Sequence, residues 1–130
     1  MYKIQEEWLG VGEARQYLFI IEDNSDIKDK LEEKEKLRAI FLVRLIDKYN
    51  YSEKDIHLDV DVGNSTIDLM VSRKGKPFIA IDVNPVEIKK TISKAQELGA
   101  EYVATITKQG NQFFRISQTK QSISDLPKSQ

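Results

Sequence analysis

The chain has 130 residues, a length that suits a single domain able to bury a core without disulfides or a structural metal. It contains no cysteine, which excludes a disulfide framework and a thiolate metal site. The net charge of -1 argues against a strongly electrostatic nucleic-acid-binding protein. No apolar run has the length of a membrane span or of a signal-peptide core. We therefore expect a soluble, cytoplasmic protein that does not associate with membranes.

The first half of the chain predicts a short strand followed by a long helix. Residues 1–22 contain the apolar run Phe19-Ile20-Ile21, which favours a strand. Residues 23–26 are of the types that cap helices, and from Ile27 to about Tyr49 the apolar residues recur at helical spacing. Glu35 falls on the apolar stripe of this helix.

Three antiparallel strands are predicted next. Residues 57–62 and 65–72 alternate between apolar and polar types on either side of a two-residue turn, Gly63-Asn64. After a second turn, residues 78–83 form a nearly continuous apolar run, which suits a central strand buried on both faces. The remaining predicted elements are a helix from the Asn84-Pro85 region to Leu98, a strand over 101–107 reached by a right-handed crossover, and a strand over 113–116.

This order of elements predicts an α/β (α+β) fold with an αβββαβ core, in which helices flank a central mixed sheet. We expect one domain over residues 1–117, with its core from about residue 27. After Ser117 the apolar pattern is lost, so residues 118–130 are predicted to form a flexible polar tail.

The strand registers implied by the two turns bring acidic side chains together. Pairing around Gly75 places Asp68 opposite Asp82, with Cβ atoms roughly 5 Å apart. The first hairpin places Asp59 on the other flank of Asp68, and a slip of one residue would undo either placement. Neighbouring carboxylates repel each other, so such a cluster indicates a bound cation, a shared proton or a face open to water.

The charged residues are unevenly distributed along the chain. Residues 1–60 carry 10 Lys and Arg against 14 Asp and Glu, whereas residues 61–130 carry 10 against 7. Basic residues of the second half favour either a solvated turn and helix face or a patch that contacts the phosphates of DNA. The candidates for DNA contact are Lys74, Lys76, Lys89, Lys90 and Lys94.

Together these segments resemble the N-terminal nuclease domain of type I restriction enzyme R subunits, within the PD-(D/E)XK, restriction-endonuclease-like superfamily. The resemblance covers roughly residues 30–117. It is carried by Glu35 and Arg38, Ile67-Asp68, the run Lys76-Pro77-Phe78-Ile79-Ala80-Ile81-Asp82-Val83-Asn84, and Leu98-Gly99-Ala100-Glu101-Tyr102.

The resemblance implies a metal-dependent nuclease site. Asp68 and Asp82 match the family's ligands for a divalent metal, Mg²⁺ or Mn²⁺, the carbonyl of Val83 matches a third ligand, and Glu35 matches the helix glutamate. Such a metal polarises a phosphodiester and lowers the pKa of an attacking water.

One departure from the family pattern bears on catalysis. The position of the family's lysine is occupied by Asn84, which can hydrogen-bond a water but supplies no positive charge. Asn84 also suits a helix N-cap, with Pro85 at the first helical position and Glu87 three residues after the cap. A lysine from the following helix, Lys89, Lys90 or Lys94, could replace the missing one.

These observations leave several functions open. The chain is expected to be a nuclease-derived DNA-binding domain with a catalytically degenerate site. The alternatives are an active Mg²⁺-dependent endonuclease with a helix lysine, or a module that binds a protein partner or forms a homodimer through the segment containing Trp8. The single histidine, His57, without cysteines makes a zinc site unexpected.

Overall fold

The computed structural model of the chain describes residues 33–116 and 120–129. The predicted leading strand, the predicted helix start and the segment containing Trp8 lie outside the described residues. No helix within the described part is long and apolar enough to cross a membrane. In chain order the elements are α1 (Glu33–Asp47), a 3-10 turn (Glu53–Asp55), β1 (Ile56–Val62), β2 (Ser65–Arg73), β3 (Lys76–Val83), α2 (Ile88–Leu98), β4 (Tyr102–Thr107), β5 (Gly110–Arg115) and β6 (Gln121–Ile123).

The six strands form one mixed sheet in the order β1-β2-β3-β4-β5-β6. Neighbouring strands are antiparallel except β3 and β4, which are parallel and joined through α2. Phe41 and Leu45 of α1 pack into one apolar cluster, and Ile92 and Ala95 of α2 pack into the other. The prediction of a mixed sheet flanked by helices is thereby confirmed.

Strand β3 occupies the middle of this arrangement. It is buried from Phe78 to Val83, because β2 and β4 cover its edges and the two apolar clusters cover its faces. Ile79 and Ile81 belong to the α1 cluster, whereas Ala80 belongs to the α2 cluster. The polar residue Asp82 follows this alternation onto the α2 side, where it is buried as well.

The first hairpin has the predicted register, with Val62 opposite Ser65 and Gly63 in the left-handed region at φ 61°. In the second hairpin Arg73 pairs with Lys76 around a two-residue turn. At this end of the hairpin the pairing is shifted by one residue from the predicted register. A register shift between Val71 and Ser72 compensates for this difference. From that point the strands follow the predicted register towards Asp68 and Asp82.

The predicted cap of the second helix is wrong. Helix α2 begins at Ile88, with Glu87 at the N-cap position, and Asn84 lies outside it with φ 50°. The Asn84 N–H donates to the carbonyl of Ile106 at 2.7 Å, so hydrogen bonding to β4 continues one residue beyond the end of β3. The helix therefore begins later in the chain than predicted. The helix ends as predicted at Gly99, whose φ of 82° favours glycine.

The predicted polar tail contains ordered structure and needs correction. Residues 121–123 form β6 against β5, and Leu126 is buried in the α1 cluster. The Tyr51 hydroxyl donates to the carbonyl of Pro127 at 2.7 Å, and the Ser129 N–H donates to the carbonyl of Tyr49 at 2.8 Å. One apolar anchor and two tyrosines therefore hold a segment whose composition is otherwise typical of a disordered tail.

Ionisation of Tyr51 is expected to destabilise the fold at alkaline pH. Burial of its side chain raises the pKa of Tyr51 from 10.0 to about 12, and nearby Arg73 only partly opposes this. Because the folded-state pKa is raised, this contribution to stability is complete below pH 10.0 and is lost as the pH rises towards about 12. We expect the free energy of unfolding of Tyr51→Phe to fall less steeply above pH 10 than that of wild type, measured by urea denaturation. Parallel curves for the two proteins would contradict this.

Candidate functional site

The two predicted aspartates lie together where β2 and β3 meet, next to the paired residues Leu69 and Ile81. Both are buried, at 5% exposure for Asp68 and 4% for Asp82. The Asp68 N–H donates to Asp82 Oδ1 at 3.2 Å, and the Val83 N–H donates to Asp68 Oδ2 at 2.8 Å. Each carboxylate thus accepts a backbone N–H from the opposite strand, which fixes the orientation of both side chains.

The other oxygen of each aspartate faces an ammonium group. Lys34 Nζ, from the first turn of α1, lies 3.1 Å from Asp68 Oδ1. Lys94 Nζ, from α2, lies 2.6 Å from Asp82 Oδ2. The hydroxyl of Thr91, which is fully buried, donates to the same Asp82 oxygen at 2.7 Å. The site therefore pairs two buried carboxylates with two lysines, and each carboxylate oxygen has at least one donor.

The two lysines are held differently. The Lys94 side chain is 19% exposed, and its ammonium also donates to the carbonyl of Thr66 at 2.8 Å. The Lys34 side chain is 44% exposed and has one acceptor among the described residues. Lys94 thus bridges α2 to both β2 and β3, whereas the contact of Lys34 within the described part of the chain is to Asp68.

Burial disfavours negative charge at this site. It raises the pKa of Asp68, and the nearby Asp82 raises it further, although the Val83 N–H and Lys34 act in the opposite direction. A buried carboxylate in this position is stabilised in its charged form by cations and N–H donors. Lys34 and Lys94 therefore help to stabilise the two buried carboxylates.

The aspartates open onto a cleft of about 460 Å³, a volume within the range of small-ligand sites. The loop between β3 and α2 forms one rim, where the side chain of Val86 is 94% exposed. The lining consists of Lys34, Asn64, Ser65, Thr66, Asp68, Asp82, Val83, Asn84, Pro85, Val86, Glu87, Lys90, Thr91 and Lys94.

Of the remaining predicted residues, Val83 and Asn84 line this cleft and Glu35 does not. Asn84 is exposed at its rim, and Val83 lines it. Glu35 is partly buried on α1, but the α1 side chain that reaches the aspartates is Lys34, which the sequence did not indicate. No local pattern could have identified Lys34, because its contact depends on how α1 packs against β2.

Asp59 does not join the aspartate pair. Its backbone has φ 50°, and its carboxylate accepts a hydrogen bond from Nη1 of the buried Arg38 at 2.8 Å. Within residues 33–116 and 120–129, no group of three or more acidic or histidine side chains is arranged to hold a metal. The predicted cluster of three acids is therefore reduced to Asp68 and Asp82. His57 is exposed and pairs with Ser72 at 3.1 Å, away from the cleft.

The five candidate DNA-contacting lysines do not form one patch. Lys90 and Lys94 line the cleft, and Lys89 is exposed on the same helix outside the cleft lining. Lys74 and Lys76 lie at the β2–β3 turn, roughly 20 Å along the strand from Asp68 at the usual rise per residue. Of the five candidates, Lys90 and Lys94 are therefore the two that line the cleft.

No family model matches the chain, and comparisons with curated proteins and with solved structures find no match. The residues of the cleft and the sequence resemblance are therefore the features that bear on the function of the chain.

Proposed function

We propose that the chain is a restriction-endonuclease-like domain that cleaves DNA with a divalent metal, with Lys94 in the role of the missing motif lysine. The observation that supports this most directly is the 2.6 Å contact between Lys94 Nζ and Asp82 Oδ2. The resemblance places Asn84 at the position of the family lysine, and this contact brings a helix lysine to Asp82, one of the proposed metal ligands.

The oxygen atoms of the cleft suit magnesium or manganese. Both ions prefer carboxylate and carbonyl oxygens, which Asp68, Asp82 and the Val83 backbone can supply. Asp68 Oδ2 and Asp82 Oδ1 accept backbone N–H groups, and Asp82 Oδ2 accepts from Thr91 and contacts Lys94. Asp68 Oδ1, which faces the more exposed Lys34, is therefore the carboxylate oxygen that would be most open to a metal. When bound, the metal would polarise a phosphodiester and lower the pKa of a water molecule.

The protein's own side chains would position the DNA. Lys94 is fixed by Asp82 and by the carbonyl of Thr66, so its charge is already placed for a phosphate that gains negative charge during cleavage. Lys90 is exposed at the rim and can contact a neighbouring phosphate. Asn84, also at the rim, can hydrogen-bond a water or a phosphate oxygen.

A second candidate is a DNA-binding domain without catalysis. It is favoured by the hydrogen bonding of the aspartates, since their four oxygens are already matched by two N–H groups, a hydroxyl and two ammoniums. Because these donors already balance the buried carboxylates, no metal is needed to stabilise the folded state. Such a domain would bind DNA through the exposed lysines of α2 with no turnover.

The test is a cleavage assay on plasmid and single-stranded DNA with millimolar Mg²⁺ or Mn²⁺. We expect metal-dependent cleavage that Asp68→Asn and Lys94→Met each reduce by about 100-fold or more. Lys108→Met, which changes an exposed lysine in the β4–β5 turn, serves as the charge-matched control and should retain activity. DNA binding that weakens with salt, without cleavage, would instead support the second candidate. The absence of both DNA binding and DNA cleavage would contradict both candidate functions.

A further inference from the structure

Lys34 has no role in the family resemblance, yet its ammonium lies at the mouth of the cleft. We propose that Lys34 is an exchangeable internal counter-ion, which neutralises Asp68 in the absence of a divalent cation and is displaced when that cation binds. This inference rests on the proposed metal site and adds a competition between the protein's own lysine and the metal.

The contacts of Lys34 suit exchange. Its ammonium makes one ion pair among the described residues, at 3.1 Å to Asp68 Oδ1, and its side chain is 44% exposed. A lysine with this exposure can turn into solvent at little cost, because water replaces its partner. Lys94 is the opposite case, since it is mostly buried and has acceptors on two strands.

The partner of Lys34 is fixed. The Asp68 side chain is 7% exposed, and its Oδ2 is held by the Val83 N–H at 2.8 Å. Rotating the carboxylate to offer another oxygen would break that buried hydrogen bond. A cation that enters the cleft must therefore compete with Lys34 for Asp68 Oδ1, and its measured affinity includes the work of displacing the ammonium.

The test measures Mn²⁺ binding to the full chain by isothermal titration calorimetry and by the electron paramagnetic resonance signal of free Mn²⁺. We expect Lys34→Met to bind Mn²⁺ roughly ten-fold more tightly than wild type, because a positive charge within a few ångströms of the cation is removed. Lys108→Met is the matched control. It removes an exposed lysine of the β4–β5 turn, outside the cleft lining, and should change the affinity less than about two-fold. Lys34→Arg keeps the charge and should stay near wild type.

The outcomes separate this inference from the proposed nuclease. Tighter Mn²⁺ binding by Lys34→Met without DNA cleavage by any variant would support the counter-ion and contradict the nuclease. Cleavage by wild type, with equal Mn²⁺ affinity in wild type, Lys34→Met and Lys108→Met, would support the nuclease and overturn the counter-ion. Absence of Mn²⁺ binding in all variants would overturn the counter-ion together with the metal site. Thermal unfolding with and without Mn²⁺ shows whether each variant is folded.

Discussion

Replacing Lys94 with methionine is expected to lower the free energy of unfolding by about 3 kcal/mol. The substitution removes the ammonium that lies 2.6 Å from Asp82, whose side chain is only 6% exposed. The Thr91 hydroxyl and the Asp68 N–H still donate to that carboxylate, but neutral donors do not replace the ammonium beside a buried charge. The carbonyl of Thr66 also loses its donor. Most of the loss is therefore the cost of leaving the buried Asp82 carboxylate without its ammonium partner.

Urea denaturation of wild type, Lys94→Met and Lys90→Met at neutral pH measures this effect. Lys90 is exposed on the same helix, so its substitution should change the free energy of unfolding by no more than about 0.5 kcal/mol. Adding Asp82→Asn to Lys94→Met should recover part of the loss, because the uncompensated charge is removed. Equal stability of the two lysine variants would show that Lys94 is not coupled to Asp82 in solution.

Ending the chain at Ser117 is expected to lower the free energy of unfolding by more than about 4 kcal/mol. The truncation removes Leu126, which is 5% exposed within the α1 cluster, and strand β6 with its pairing to β5. It also removes the hydrogen-bond partners of Tyr49 and Tyr51, which are both buried. A flexible tail would contribute none of this.

The point variant Leu126→Ala isolates the apolar part of the effect and should cost about 3 kcal/mol, within the range of buried leucine truncations. Ser124→Ala, two residues earlier and exposed, is the matched control and should be close to neutral. Calorimetric and urea unfolding of the truncated chain and of both variants provide the measurement. If the truncated chain were as stable as wild type, the packing of Leu126 would not persist in solution.

The strands were predictable because their signals are local. Alternation defined the first hairpin, and the apolar run defined β3, whose two faces are covered by the two apolar clusters. The bulge between Val71 and Ser72 has no such signal, and neither does the left-handed conformation of Asn84. Asp68 and Asp82 lie next to each other, as predicted, because the register shift restores the predicted pairing from Val71 and Ile79 onward.

The cleft was predictable only in part, since its two cations come from different helices. Lys94 was one of three candidates on α2, and the sequence could not distinguish among them without the rotation of the helix. Lys34 was missed because its position depends on packing between segments far apart in the chain. Leu126 was missed for a related reason: a single apolar residue in a polar segment reveals no burial until its neighbours are known.

The crossed hydrogen bonds between the aspartates and the backbone also make two peptide groups into reporters. The amides of Asp68 and Val83 donate to carboxylate oxygens, whereas most strand amides donate to carbonyls. Their proton chemical shifts should therefore respond to any change in charge at either carboxylate. In an amide-resolved NMR titration, these two signals would register the arrival of a cation or a phosphate before the rest of the sheet, with no label on the ligand.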